Sequence, residues 1–365
     1  MPRDIFILAP NIDNLGGTQR VFHVLAQGFG LRGHRVRLVG IERVHSPFGF
    51  DDGLAYEKTI LYREKRGRRD TPAVLLADAR KRLAELFAGA RSGYLILGTP
   101  WSVKWASAVP APHLSRIGQY HSSYEHAKFS SPSHLELIRR LYPNLAKSVF
   151  LSEDDARSFS RHRLPNARAI GNPLTFEPER VATPDKSRRI VTVGRLATIK
   201  RYDLLIAAFA RASAEVPERW ELHLVGDGYE EEQLRACAAE HGVADRVVFQ
   251  GRCKDVHSHY RDAAIFALSS EHEGHPMALA EAAALGLPAV AFDVSGGVKN
   301  LVADGVSGLL APAGDVGAFA AALARLMRAP ELRARMGSTA CDHVREFSLE
   351  KILDKWDSLF EEIRR

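Results

Sequence analysis

At 365 residues the chain is long for one hydrophobic core and ample for two domains of ordinary size. Its 45% hydrophobic and 26% charged residues are those of a globular protein, and its formal charge of +6 is modest. No apolar run approaches the ~20 residues that span a bilayer, and three scattered cysteines, Cys237, Cys253 and Cys341, argue for a reducing cytoplasm and against a structural zinc.

The run 5–9 is too short for the hydrophobic region of a signal peptide and reads as a first strand. Gly16-Gly17 follow it and precede a helix over 18–29, with Val21, Val24, Leu25 and Phe29 on one face. Without side chains these glycines let backbone N–H groups approach an anion at a helix start; a plain helix-entry loop is the other reading. Arg20 would neutralise the same anion or face solvent. Further strands are expected over 36–41, 94–98, 117–120 and 148–151, with a helix over 72–87. Between them Arg63, Lys65, Arg66, Arg68 and Arg69 form a basic run, with Lys81 and Arg82 soon after. It reads either as a solvated loop or as a contact for anionic lipid headgroups or a phosphate-rich polymer, peripheral at the inner face of a membrane. No helix-turn-helix, aromatic-basic stack or zinc pattern accompanies it, which argues against nucleic acid. His121 sits at the end of the 117–120 strand, where a lone histidine is structural or touches substrate. Ser152-Glu153-Asp154-Asp155 reads as a helix N-cap with acids in its first turn.

The stretch 166–187, with Pro173, Pro178 and Pro184 and no helical periodicity, reads as the interdomain connection. A second alternation follows, with strands over 190–193, 222–225, 247–249, 265–268, 289–292 and 309–310. Helices are expected over 201–213, 230–241, 255–261, 276–285 and 316–328. Gly194-Arg195 and Lys200 put two cations at a strand's carboxyl end, where phosphates bind; two surface charges are the bland alternative. Gly226-Asp227-Gly228 is a tight turn, because the third glycine of G-x-G-x-x-G would fall at Glu231. After 265–268 a polar loop, Glu271-His272-Glu273-Gly274-His275, leads into a helix opened by Pro276 and stopped at Gly286. Glu273 and Glu281 lie eight residues apart beside that helix start, an anion site. Carboxylates next to an anion site fit a ligand with phosphates at one end and hydroxyls at the other, a nucleotide sugar. Two solvated acids on a capped helix is the alternative. Leu349, Ile352, Leu353, Trp356, Leu359, Phe360 and Ile363 close the chain as an amphipathic helix capped by Ser348.

No D-x-D triplet occurs, so a divalent ion bridging a diphosphate lacks an evident ligand set and no metal is expected. Arg195, Lys200 and helix dipoles would then have to stabilise the leaving group. G-x-S-x-G and the P-loop pattern are also absent, against a hydrolase or kinase.

Gly16-Gly17-Thr18-Gln19-Arg20, Gly194-Arg195-Leu196 with Lys200, the 225–228 turn, the E-x7-E of Glu273 and Glu281, Gly286-Leu287-Pro288 and Asp304-Gly305 to Gly308-Leu309 occur in one order over about 290 residues. Together they resemble glycosyltransferase family 4, the retaining GT-B enzymes. The resemblance implies an α/β architecture of two Rossmann-like domains facing each other across a cleft, an acceptor domain over 1–170 and a donor domain over 171–346, with the helix 347–365 packing back on the first. It implies a UDP-sugar or similar donor, no cofactor, and transfer to an acceptor hydroxyl. Arg195 and Lys200, beside Gly194, would bind the diphosphate, Glu281 the ribose and Glu273 the transferred sugar. Backbone of Gly274, His275, Pro276 and Met277 would cradle sugar and phosphate, and Gly251-Arg252-Cys253 would border the base. Gly16 and Gly17 would approach the distal phosphate and His121 the attacking hydroxyl. Asn300 stands where the family usually carries Glu, and His275 where Phe is common. The segments 119–123 and 149–153 look more narrowly like bacterial enzymes that glucosylate wall teichoic acid, implying a polyol-phosphate or glycan acceptor. A non-catalytic nucleotide-sugar-binding protein, or an epimerase or phosphorylase on the same fold, is the alternative.

Overall fold

The structure is a computed structural model that describes residues 2–14, 16–42, 53–62, 72–161, 163–253 and 255–364. The basic run at 63–69 lies outside the described residues. The chain divides into two compact units, Met1–Thr175 together with Leu349–Arg365, and Phe176–Ser348.

The first unit is built on β1 (Asp4–Ala9), α1 (Gly17–Leu31), β2 (Arg35–Gly40), β3 (Glu57–Ile60), α2 (Pro72–Ala88), β4 (Gly93–Leu97), α3 (Pro100–Ala106), β5 (Leu114–Gln119), α4 (Pro132–Leu141), β6 (Lys147–Phe150), α5 (Glu153–Ser160) and β7 (Ala167–Ala169). All seven strands pair in parallel, in the order β3-β2-β1-β4-β5-β6-β7. Every residue of β1 and β4 is buried, as expected of strands covered on both faces. Ser152 caps α5, its Oγ accepting from Asp155 N–H at 3.1 Å.

The second unit repeats the plan with β8 (Arg189–Val193), α6 (Tyr202–Ala214), β9 (Glu221–Val225), α7 (Glu231–Glu240), β10 (Val247–Gly251), α8 (Val256–Arg261), β11 (Ile265–Leu268), α9 (Met277–Ala284), β12 (Ala289–Asp293), α10 (Gly296–Leu301), β13 (Gly308–Pro312), α11 (Val316–Arg328) and α12 (Pro330–His343). Its six strands are also parallel, ordered β10-β9-β8-β11-β12-β13. Each unit is therefore a doubly wound, Rossmann-like α/β domain. In each, the strand order reverses at one place, between β1 and β4 and between β8 and β11, and ligands of open sheets bind outside the carboxyl ends at that switch point.

The last helix, α13 (Leu349–Arg364), belongs to the first unit. Trp356 and Phe360 pack on Phe29, and the Phe360 ring stacks on Tyr94 at 4.0 Å. A Cβ on Gly28 would stand 2.6 Å from Leu353 Cδ1, so α1 is bare there because α13 crosses it. Ion pairs bind its rim: Arg32 to Asp354 and Asp357 at one end, Lys147 and Arg168 to Glu362 at the other.

Two expectations need correction. The stretch 166–187 is not all connection, since β7 lies inside it and forms the sheet edge beside β6. Pro276 does not open α9 from within; at φ −70° and ψ 108° it is the extended N-cap, and the helix begins at Met277.

Candidate active site

In the second unit the loops after β8 and β11 meet at the switch point. Behind the β8 loop, backbone packs on backbone without room for side chains. Gly226 has φ +142°, and a Cβ there would stand 2.0 Å from Gly194 O; one on Gly228 would stand 2.1 Å from Leu196 O. Leu196 N–H donates to Asp227 O at 2.8 Å and Gly194 N–H to Val225 O at 2.9 Å. The glycines of 226–228 thus let two loops touch; the turn expected there lies one step on, at 229–230, where Glu231 N–H donates to Gly228 O at 3.4 Å. Gly194 itself borders the buried Tyr202, whose hydroxyl a Cβ would approach to 2.8 Å.

Lys200 ends a 3₁₀ turn, Thr198–Lys200, and Arg201 follows in the left-handed region at φ 48°. An arginine in that region is strained backbone. Its guanidinium is held by both oxygens of Asp203, at 3.1 and 2.9 Å. The β11 loop grips the same turn: Ser269 Oγ donates to Lys200 O at 2.8 Å and Glu271 N–H to Ile199 O at 2.9 Å. These bonds bring Lys200 Nζ to 2.7 Å from Glu273 Oε1. Burial pulls the Lys200 ammonium down, but Glu273, with help from Tyr202, outweighs it and holds the group above its ordinary value. Arg195 is exposed and near enough to push Lys200 slightly the other way.

Beyond Glu273 the chain dives inward, with Gly274, His275, Pro276 and Met277 all buried. A Cβ on Gly297 would stand 1.6 Å from Gly274 O, so the start of α10 presses directly on this segment. The His275 ring lies 4.7 Å from Phe347, a packing role where the family's Phe is common. Glu281 sits inside α9, 2% exposed, and the buried Tyr260 donates to its Oε2 at 3.4 Å. The first N–H groups of α9 carry the positive end of its dipole, with no acid in the first turn. Gly251 has φ +67° and its carbonyl accepts from Gly226 N–H at 2.9 Å. Arg252 beside it is exposed, and Cys253 Sγ lies 3.2 Å from Asp255 O. Asn300 lies on α10, its carbonyl 2.9 Å from His343 Nε2.

In the first unit Gly16 is the extended N-cap of α1, and Gly17 is exposed at the helix start. Helix side chains staple the preceding loop: Gln19 Nε2 donates to Asn11 Oδ1 at 2.8 Å, and His23 Nε2 is 2.7 Å from Ile12 O. The other ring nitrogen of His23 bonds Tyr56 Oη. Arg20 donates to Thr175 Oγ1 at 3.1 Å. His121 stands edge-on to Phe22, ring centroids 5.0 Å apart. Burial draws its pKa down to about 4 against a smaller opposing pull from Asn172, so the ring is neutral at neutral pH.

The structure therefore brings Gly194, Lys200 and Glu273 together and sets Glu281 one helix further in. Tyr202, Tyr260, Ser269 and the strained Arg201 support them, and no local motif marked these four. Among the described residues no group of three or more His, Cys, Asp or Glu side chains could hold a metal ion, and no helix is long and apolar enough to cross a membrane.

A family model described as "Glycosyl transferases group 1" matches residues 175–343. An "Uncharacterized glycosyltransferase" of Haemophilus influenzae is 30% identical over 358 residues, covering 96% of this chain and 97% of its own. Among solved structures the fold is similar to S. aureus TarM in complex with fondaparinux, alpha-GlcNAc-glycerol and UDP, at TM-score 0.83 and 14% identity over 98% of this chain and 99% of that one. Sucrose-phosphate synthase from Thermosynechococcus elongatus gives TM-score 0.84 and 19% identity, with 99% of each chain covered. At those identities the likeness concerns the fold, which is GT-B. The near-complete match to the Haemophilus relative and the family model over the second unit establish that the chain belongs to the glycosyltransferase group 1 family.

Proposed function

We propose that the protein is a retaining hexosyltransferase of family 4, moving a sugar from a nucleotide-sugar donor to an acceptor hydroxyl without a metal ion. The observation that carries this is the ion pair at the switch point: Lys200 and Glu273, 2.7 Å apart, lie where β8 and β11 end and where α9 is about to start. A cation and a helix start neutralise a diphosphate; a carboxylate holds sugar hydroxyls. Both chemistries converge on one end of one sheet. Arg195 supplements Lys200, Glu281 takes the ribose, and Gly274 to Met277 cradle the donor. In the first unit Gly16 and Gly17 are assigned to the distal phosphate and His121 to the attacking hydroxyl.

The reaction needs negative charge stabilised on the leaving phosphate and positive charge on the sugar ring. Lys200 and the α9 dipole supply the first, Glu273 the second. With front-face attack the departing phosphate oxygen accepts the acceptor's proton, and the anomeric configuration is kept. UDP is the donor nucleotide we favour, because the fold's likeness includes a UDP complex of S. aureus TarM. That complex also contains alpha-GlcNAc-glycerol, which together with the likeness of segments 119–123 and 149–153 favours a polyol-phosphate or glycan acceptor.

A panel of UDP-, GDP- and ADP-sugars tests the reading. The preferred nucleoside diphosphate should stabilise the protein by ~2.7 kcal/mol at a hundredfold excess over Kd, equally with EDTA and with magnesium. Slow donor hydrolysis followed by NMR should release the sugar with its anomeric configuration retained. No stabilisation by any nucleotide, or an inverted product, overturns it.

A further inference from the structure

The two side chains assigned to opposite ends of the donor, Lys200 to phosphate and Glu273 to sugar, are bonded to each other. The contact is built, not incidental. Ser269 and Glu271, both in the loop that carries Glu273, bond the backbone of residues 199–200, so the two loops are locked in register before their side chains meet. Water reaches the pair poorly, with 25% of the lysine side chain and 12% of the glutamate side chain exposed. Screening by solvent and salt is correspondingly weak.

A phosphate approaching Lys200 therefore approaches Glu273 as well. With a sugar attached to the diphosphate, ring hydroxyls offer the carboxylate hydrogen-bond donors, and its negative charge is satisfied. A nucleoside diphosphate lacking the sugar brings no such donors, and its terminal phosphate faces the carboxylate directly. The repulsion falls on the product and spares the donor.

We propose that Glu273, through its ion pair with Lys200, sets the protein's preference for nucleotide sugar over free nucleoside diphosphate and so favours product release. This rests on the reading of the switch point as a nucleotide-sugar site. Calorimetric titration of the full chain with UDP, GDP and ADP and with their glucose conjugates tests it, using wild type, Glu273→Gln, Lys200→Gln and the double variant. For the diphosphate that binds, Glu273→Gln should lower Kd roughly fivefold, the effect of removing one nearby like charge, while Kd for the glucose conjugate rises. In the Lys200→Gln background the Glu273→Gln change should lower the diphosphate's Kd by clearly less, because no lysine then draws the phosphate against the carboxylate. Glu273→Asp, which withdraws the carboxylate by one methylene, should shift Kd the same way by less and serves if the Gln variant fails to fold. Unchanged or weaker diphosphate binding in Glu273→Gln overturns the proposal, as does the same gain without Lys200. Wild type binding none of the three diphosphates would instead overturn the underlying reading.

Discussion

Two half-buried groups carry opposite electrostatic histories. Lys200 keeps its charge because a carboxylate compensates for the lost water, whereas His121 has no carboxylate at its ring and loses its charge. For His121 this makes stability depend on pH. The unfolded chain binds a proton near the usual 6.5, the folded chain only near about 4, so between those values the unfolded state holds more protons. Stability contributed by the neutral ring is complete above pH 6.5, declines as pH falls, and is gone below about 4. His121→Gln removes this titration. Urea midpoints at pH 7.0, 5.5 and 4.5 should show the variant losing less stability on acidification, by on the order of 2 kcal/mol; equal losses would count against a neutral ring with its nitrogens out of solvent. At the same scale the pairing of Lys200 with Glu273 could not be read from the chain, because 73 residues separate them. The left-handed Arg201 was equally hidden, since nothing in an arginine's chemistry favours φ 48°.

At the scale of elements, the central strands were legible because burial on both faces leaves an unbroken apolar run, as in β1, β4 and β11. Edge strands lack that signature. β3 (EKTI) and β7 (ARA) are short, partly exposed and polar, and only their partners make them strands. The helices α3, α4, α10 and α12 were also unmarked; α10 opens on Gly296-Gly297, poor helix formers placed there because Gly297 must touch Gly274. The E-x7-E spacing was legible, but Gly226-Asp227-Gly228 suggests a turn, and the turn falls at 229–230 instead. The glycines serve another end: they permit the β9 loop to rest on the β8 loop that carries Arg195 and Lys200. Gly226→Ala adds a methyl 2.0 Å from Gly194 O at a φ of +142°. We expect a loss of about 2–4 kcal/mol in denaturant unfolding. Binding of the preferred nucleoside diphosphate should also weaken, since the cation-bearing loop must shift; wild-type midpoint and affinity together would refute the close approach.

The molecule as a whole consists of two cores with one covalent peculiarity: the first core is closed by the last helix. Trp356 is fully buried against Phe29, and Tyr94 Oη donates to Phe360 O at 3.0 Å. Arg168 and Lys147 hold the Glu362 carboxyl down to about 2, so that end of the clamp stays charged at any ordinary pH. Trp356→Ala should cost about 3–5 kcal/mol, and the damage should be local. Hydrogen exchange followed by mass spectrometry should show amides of β1, β2 and β4 losing protection while those of β8, β9 and β11 keep theirs. Uniform loss in both units would mean that the cores are not independent.

Because the whole second unit lies between them in sequence, the ribosome makes the first unit's sheet about 175 residues before the segment that covers Phe29 and Tyr94. The second unit, contiguous in sequence, has all its parts in hand earlier. The later-made unit is therefore free to complete its core first, while the unit begun first still lacks the helix that closes it.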